Sequence, residues 1–263
     1  MKIVTWNLRC VYDHCDGINN FIHRAGFIYD KIMKEKPSVI AFQEVVEKSL
    51  EMLKKMLPEY EFVGGMRSAN YDIEGLYIAY LKEEFMPLGF DLFWLSPTPY
   101  VAGSRFLDQS DCPRVCNYLR LLDKASKKTI NMFNVHLDHV SDKAMVDGIN
   151  VILNYIENNK ERVDKDSTVI LGDFNSIENS EPILLMNEQT WLTDVTKCVK
   201  ASYHGFGERK NDKGEFEPNK IDYIFLSKTL KECVGKVATW EDKVSGIYLS
   251  DHYPICVELN TNK

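Results

Sequence analysis

Short apolar runs rich in β-branched and aromatic residues recur along the chain at 3–6, 39–42, 77–81, 118–122, 130–135, 168–171, 221–226 and 255–259. Runs of this length, bounded by polar residues, predict strands. Between several of them the spacing lengthens. Ile28, Ile32 and Met33 share one side of 27–36, and Pro37 ends the pattern. Leu50, Leu53 and Leu57 repeat it in 49–57, which Pro58 closes, and Ile149, Ile152, Leu153 and Ile156 line 141–159. Intervals of three and four predict helices. Ser180, with Pro182 just inside, predicts the capped start of a shorter one.

Many strands with a few interspersed helices predict a layered α/β protein, sheet packed on sheet with helices outside. There is no internal repeat, low-complexity tract or linker, and the length fits one large domain or two small ones. Two stretches lack any period: 96–117, punctuated by Pro97, Pro99, Gly103 and Pro113, and the polar 208–220. Loops that long in a compact domain are usually functional.

Composition narrows the picture. A 44% hydrophobic and 27% charged chain of 263 residues is an ordinary globular protein, not a disordered one. Its 32 Lys and Arg against 39 Asp and Glu leave a formal charge of −7. That lacks the overall basic bias of proteins living on long nucleic acid, although a short basic groove stays open. Met1-Lys2-Ile3-Val4 leads straight into a strand pattern, without the marks of a signal peptide. No apolar run approaches the roughly 20 residues of a membrane span. The expectation is a cytoplasmic protein with no membrane partner and no obligate protein partner. The 7 cysteines are an odd number, which suits reduced thiols. Cys10, Cys15, Cys112 and Cys116 match no standard zinc spacing, so buried structural thiols are expected.

The chemistry lies at strand ends. Asn7 follows the first run and Glu44 the second. His136 follows 130–135, and Asp173 and Asn175 follow 168–171 in Leu171-Gly172-Asp173-Phe174-Asn175. Asp222 opens its run, and Asp251-His252 precede the last. The end of one antiparallel strand lies beside the start of its neighbour, so these residues can converge on one sheet edge. Glu44, Asp173, Asp222 and Asp251 would then share a cleft. Two like charges about 4 Å apart repel by roughly 4 kcal/mol at an effective dielectric near 20. Such a cluster calls for protons, basic partners or a cation. Carboxylate and amide oxygens suit Mg²⁺ or Mn²⁺ rather than zinc. With two histidines able to share protons near neutrality, the set points to phosphoester hydrolysis.

Thr5-Trp6-Asn7, Gln43-Glu44, Asn134-Val135-His136-Leu137, Gly172-Asp173-Phe174-Asn175, Ile221-Asp222-Tyr223 and Ser250-Asp251-His252 together resemble the endonuclease/exonuclease/phosphatase superfamily, in family order. That group includes deoxyribonuclease I, abasic-site endonucleases, inositol polyphosphate 5-phosphatases, neutral sphingomyelinases and deadenylases. The resemblance implies a four-layer α/β sandwich, with two packed mixed β-sheets flanked by helices, as a single domain over residues 1–263. It implies Glu44 as principal metal ligand with Asn7 and Asp251 beside the ion. Asp173 and Asn175 would orient water and contact phosphate. His252 paired with Asp222 would be base or charge stabiliser, and His136 would touch phosphoryl oxygens or help the leaving group. Glu74 resembles the acid that orients the second histidine in nuclease members. Phe93-Trp94-Leu95-Ser96-Pro97-Thr98-Pro99, Asn134-Val135-His136-Leu137-Asp138-His139 and Tyr203-His204-Gly205-Phe206 are similar to a bacterial branch whose chemistry, but not substrate, is implied.

Taken singly, each residue has a plainer reading. Asp173-Phe174-Asn175 is turn chemistry, Asn7 and Asp222 are caps, and His136 is a core histidine. Arg114 either clamps a phosphate or is a solvated surface arginine; His204 is a second substrate-binding candidate. His14, His23 and His139 read as structural or surface residues, and Phe93 and Trp94 as anchoring aromatics. The expected substrate is a small or short phosphorylated molecule. A DNA or RNA nuclease and a non-catalytic phospho-ligand-binding protein are the alternatives.

Overall fold

The computed structural model describes residues 1–11 and 15–260. His14 lies outside the described residues. In chain order the elements are β1 (Lys2–Asn7), α1 (Phe21–Glu35), β2 (Val39–Val45), α2 (Glu47–Met56), β3 (Tyr60–Met66), β4 (Gly75–Leu81), β5 (Phe85–Trp94), β6 (Val115–Asp123) and β7 (Thr129–His136). Next come α3 (Asp142–Asn158), β8 (Thr168–Asp173), α4 (Glu181–Glu188), β9 (Leu192–Asp194), β10 (Asp222–Ser227), α5 (Lys228–Lys231) and β11 (Val234–Thr239). A short hairpin of β12 (Lys243–Val244) and β13 (Ile247–Tyr248) precedes β14 (Ile255–Leu259).

Two six-stranded sheets run in the orders β11-β14-β1-β2-β4-β3 and β5-β6-β7-β8-β10-β9. Both are mixed. β1 pairs parallel to β2 and β7 to β8, and the remaining pairs are antiparallel. Ile3, Ile78, Leu119, Met132, Val169, Ile224 and Val257 fill the space between the sheets. On the outer face of the first sheet, Trp6 and Phe42 pack against Phe21 and Ile28 of α1 and Leu53 of α2. On the second, Phe133 and Phe225 pack against Ile149 and Ile152 of α3 and Ile183 of α4. The result is the four-layer sandwich, helices outside and sheets face to face. Strands covered on both faces must be apolar at every position. All seven residues of β4 are buried accordingly.

Three amides interrupt the apolar seam. Gln43 Nε2 donates to Asn134 Oδ1 at 2.7 Å, and Asn134 Nδ2 returns a bond to the Phe42 carbonyl at 2.9 Å. Asn117 Nδ2 crosses to the Val63 carbonyl at 2.9 Å. Each satisfies backbone or amide groups of the opposite sheet, which keeps buried polar atoms affordable and fixes how the sheets meet.

The structure departs from the sequence pattern in identifiable places. α1 begins at Phe21 rather than residue 27 because Asn20 caps it, its Oδ1 accepting the Ile22 N–H at 3.2 Å. β3 and β5 carry no clean alternation. Gly64 and Gly65 sit inside β3, while β5 breaks register between Pro87 and Gly89. Cys10, Cys116 and Cys256 are buried thiols, but Cys15 and Cys198 are exposed, against expectation. Among the described residues no helix is long and apolar enough to cross a membrane.

Candidate active site

Strand register assembles the cluster. His136 lies opposite Asp173 across β7 and β8, and Asp222 lies opposite the same residue across β8 and β10. Asn7 ends β1 beside Gln43, and the 249–254 segment enters β14 next to it. Ser250 Oγ donates to the Asn7 carbonyl at 2.6 Å, tying that segment to β1. Asn7 then joins the sheets: its Nδ2 donates to Glu44 Oε1 and to Asp173 Oδ2, both at 3.0 Å.

Three backbone features aim these side chains. The β2–β4 register shifts between Phe42 and Val45, and Glu44 within that bulge has φ +57°. A bulge re-aims a side chain at a sheet rim. Gly172 has φ +142°, and a Cβ there would lie 2.0 Å from the Val135 carbonyl oxygen, so only glycine fits before Asp173. Asn175 sits at φ +49°, a region its short amide tolerates. Its N–H donates to Asp173 Oδ1 at 2.8 Å and its Nδ2 to the Leu137 carbonyl at 3.1 Å.

Asp173 Oδ2 is the hub. It lies 3.5 Å from His136 Nε2 and 3.8 Å from His252 Nε2. The other nitrogen of His252, Nδ1, meets Asp222 Oδ2 at 2.8 Å. The two imidazoles are pushed in opposite directions. Burial lowers His136 well below its usual 6.5, and the nearby Arg114 and Arg67 charges lower it further. Burial also works against the charged form of His252, but the Asp222 carboxylate outweighs it and raises the ring to about 10. Burial and the Asp222 charge push Asp173 up to about 7. Glu44 goes the other way. Its burial is overcome by the Asn7 amide, the Cys10 N–H and the His252 charge, which hold it below 4.5. Asp251 is raised by burial and by Glu44, with His252 and Arg9 opposing. Groups of one site driven apart in this way can take different protonic roles at one pH.

A titration checks this. In EDTA, the His252 imidazole is expected to stay protonated through neutral pH and titrate near 10 by NMR. Its value is raised above the roughly 6.5 of an unfolded chain. The pair's stabilisation is therefore complete below that pH and lost as pH climbs towards 10. In Asp222→Asn only the Asp251 and Asp173 charges are left to oppose burial, and the ring is expected to titrate well below 10. An unchanged titration would show that Asp222 is not the cause.

The arginines form a second group. Glu74 pairs with Arg67 at 3.0 Å and approaches Arg114 Nη1 at 3.8 Å. Among the described residues it makes no hydrogen bond to His136, so it does not orient that ring directly. Both arginines and Glu74 line a small cavity that His136 also reaches. Arg114 is not a solvated surface residue. It is 5% exposed, its Nη2 meets His139 Nδ1 at 3.0 Å, and its Nε and Nη1 have no hydrogen-bond partner. Buried donors left without a partner are costly, and an anion there would satisfy them.

His204 corrects an expectation. Its side chain is fully buried, Nε2 lies 2.6 Å from Asp242 Oδ2, and its ring packs between Tyr248 and Tyr253. It cannot reach a ligand in the cleft. Its backbone N–H instead donates to the Asp251 carbonyl at 3.0 Å, supporting that loop. Several contributors escaped the sequence reading. Arg9, at the cleft, lies 3.9 Å from Asp251. Arg24 is buried in α1, and its Nη1 donates to the Leu8 and Leu249 carbonyls, each at 2.7 Å, pinning the loops that follow Asn7 and precede Asp251. Arg9 follows Asn7 by two positions and was detectable as a basic residue at a strand end; Arg24 carries no such signal.

The profile of the Endonuclease/Exonuclease/phosphatase family matches residues 4–252. The chain belongs to that family. Members of the endonuclease/exonuclease/phosphatase family are phosphoester hydrolases and commonly use divalent metals. The structure is similar to the crystal structure of the endonuclease/exonuclease/phosphatase from Bacteroides vulgatus, at 25% identity, TM-score 0.87 and 98% coverage of each chain. It is also similar to a mannosyl-6-phosphatase from Bacteroides thetaiotaomicron VPI-5482, at 22% identity and TM-score 0.83, covering 98% of this chain and 99% of that one. D. rerio TDP2 complexed with a single-strand DNA product shares the fold at 18% identity and TM-score 0.74, covering 98% and 97% of the respective chains. No curated protein matches. Within this fold the buried Asp173, Asp222 and His252 place one ligand atom each within 4.8 Å of one another, a group able to hold a metal ion.

Proposed function

We propose that the chain is a Mg²⁺- or Mn²⁺-dependent phosphoester hydrolase acting on a small phosphorylated molecule. The observation that carries this is the hub at Asp173, with both imidazole Nε2 atoms within 3.8 Å of Oδ2 and the Asn7 amide bridging it to Glu44. The donors fit a hard ion: Glu44, Asp251 and Asn7 offer carboxylate and amide oxygens without a thiolate, and the Glu44 charge that raises Asp251 is one a cation would offset. Glu44 and Asp251 would hold the ion, with Asn7 beside them. When bound, such an ion polarises a phosphoryl oxygen and offsets charge developing on the leaving oxygen.

The protein's own groups divide the remaining work. Asp173, set between the two imidazoles, orients water for in-line attack and accepts its proton. Asn175 holds Asp173 Oδ1 through its N–H, fixing the carboxylate plane. His252, braced by Asp222, and His136 face the phosphoryl oxygens and stabilise their charge. Arg114, with unpartnered donors beside His136, clamps the phosphate. The formal charge of −7 favours a small substrate over a polymeric phosphate backbone. A phosphatase of a sugar phosphate among the similar structures agrees with this.

Hydrolysis of p-nitrophenyl phosphate and bis-p-nitrophenyl phosphate, with Mn²⁺ or with EDTA, tests the reading. Turnover of at least one ester is expected, falling at least about tenfold in EDTA, a loss of about 1.4 kcal/mol or more in barrier terms. Metal-independent turnover, or no turnover of these esters or of a hexose 6-phosphate, would defeat it.

A further inference from the structure

An open groove of about 570 Å³ starts at Asn175 and is walled by Tyr203, Arg209 and Asn219, with Glu208 among its lining residues. It adjoins the catalytic cluster, since the Tyr203 ring centroid is 4.9 Å from that of His252. A molecule whose phosphoryl group meets His252 would therefore lay its remaining atoms along this wall.

The wall is built and its donors are unspent. Tyr203 and Asn219 exchange both backbone hydrogen bonds, at 2.8 and 3.1 Å. Buried His204, clamped on Asp242, anchors the same loop from behind. Arg209 Nε donates to Asn219 Oδ1 at 3.0 Å, which sets the guanidinium plane. Among the described residues, neither Arg209 Nη atom, nor Asn219 Nδ2, nor the Tyr203 hydroxyl makes a further hydrogen bond. Glu208 is exposed and supplies an acceptor.

One aromatic face, several fixed donors and a carboxylate match a ring that carries many hydroxyls. Each hydroxyl both donates and accepts, and the C–H face of such a ring packs on an aromatic face. A nucleobase calls for aromatic planes on which to stack, and among the described residues lining this groove Tyr203 is the one aromatic ring. A phosphate backbone calls for more positive charge than one guanidinium beside a carboxylate. We propose that the groove is the subsite for the hydroxylated ring of a phosphorylated sugar, with Tyr203, Arg209 and Asn219 setting specificity. This rests on reading the adjoining cluster as a phosphoester hydrolase.

The test compares kcat/KM for a hexose 6-phosphate and for p-nitrophenyl phosphate, with Mn²⁺, in wild type, Arg209→Ala, Arg209→Lys and Asn219→Ala. Wild type is expected to prefer the sugar phosphate, and Arg209→Ala to lose about tenfold of that preference, the worth of one hydrogen bond to a charged group. Arg209→Lys keeps the charge but not the planar fork and should recover little. Thermal melting reports whether each variant folds. A wild type that turns over p-nitrophenyl phosphate without preferring the sugar, or folded variants that keep the preference, overturns the subsite and leaves the hydrolase reading intact. Turnover of neither ester defeats the hydrolase reading. Calorimetric titration with the hexose 6-phosphate then decides the subsite: binding weakened in Arg209→Ala upholds it, and absence of binding overturns it.

Discussion

Asp173→Asn is expected to lower kcat by roughly 10³-fold, within the range lost with a positioned acid–base group. The amide has the same shape but cannot accept a proton. It would also set an NH₂ group against the Asn7 Nδ2 donor, now 3.0 Å from Oδ2, or turn one towards the Asn175 N–H at Oδ1. Folding should survive. Burial and the Asp222 charge already disfavour the ionised carboxyl, which is pushed up to about 7, so a neutral side chain relieves repulsion. Single-turnover kinetics with Mn²⁺ and a melting curve on the same sample separate the two effects. More than about a tenth of wild-type activity would exceed what loss of an acid–base group permits and remove Asp173 from the central role.

Lys220→Met is expected to produce the largest loss of stability, roughly 3–5 kcal/mol, the cost of leaving a buried charge alone. Lys220 is 5% exposed and Asp194 4% exposed, and Nζ meets Oδ2 at 3.1 Å beneath the loop leading into Asp222. The methionine preserves most of the volume but takes the cation from Asp194 Oδ2, leaving the buried carboxylate only the Thr196 N–H and hydroxyl at Oδ1. At about 2–4 °C per kcal/mol for a chain of this size, melting should fall by roughly 10 °C. Lys220→Met/Asp194→Asn removes both charges and should recover most of the difference, because the two effects are coupled. A single variant that melts within about 2 °C of wild type would show that the pair is not needed.

Lys220 illustrates what pattern reading misses. It stands one residue before a strand run and looks like any solvated lysine; only the fold brings Asp194 beneath it. Glu74 and His204 teach the same lesson from the other side. A resemblance placed Glu74 near a histidine, yet the carboxylate is taken by Arg67 and Arg114. His204 lies in the loop that lines the groove beside His252, but its side chain turns inward to Asp242 and Tyr203 faces the groove instead. A side chain's direction out of an aperiodic loop depends on packing partners far away in sequence, which local spacing does not encode.

Eight of the fourteen described strands, most helices and the set of polar residues at strand ends were determined by the sequence itself. Their physical basis is local: an apolar run must be buried, its period selects strand or helix, and the polar residue that ends it must reach a surface or a site. Only the tertiary structure decided that Asn7 bridges Glu44 and Asp173, and that Arg67, Glu74 and Arg114 gather beside His136. Those pairings come from strand register and from the way two sheets meet, and their energies depend on shared burial. Both are properties of contacts between distant segments, set when the sandwich closes.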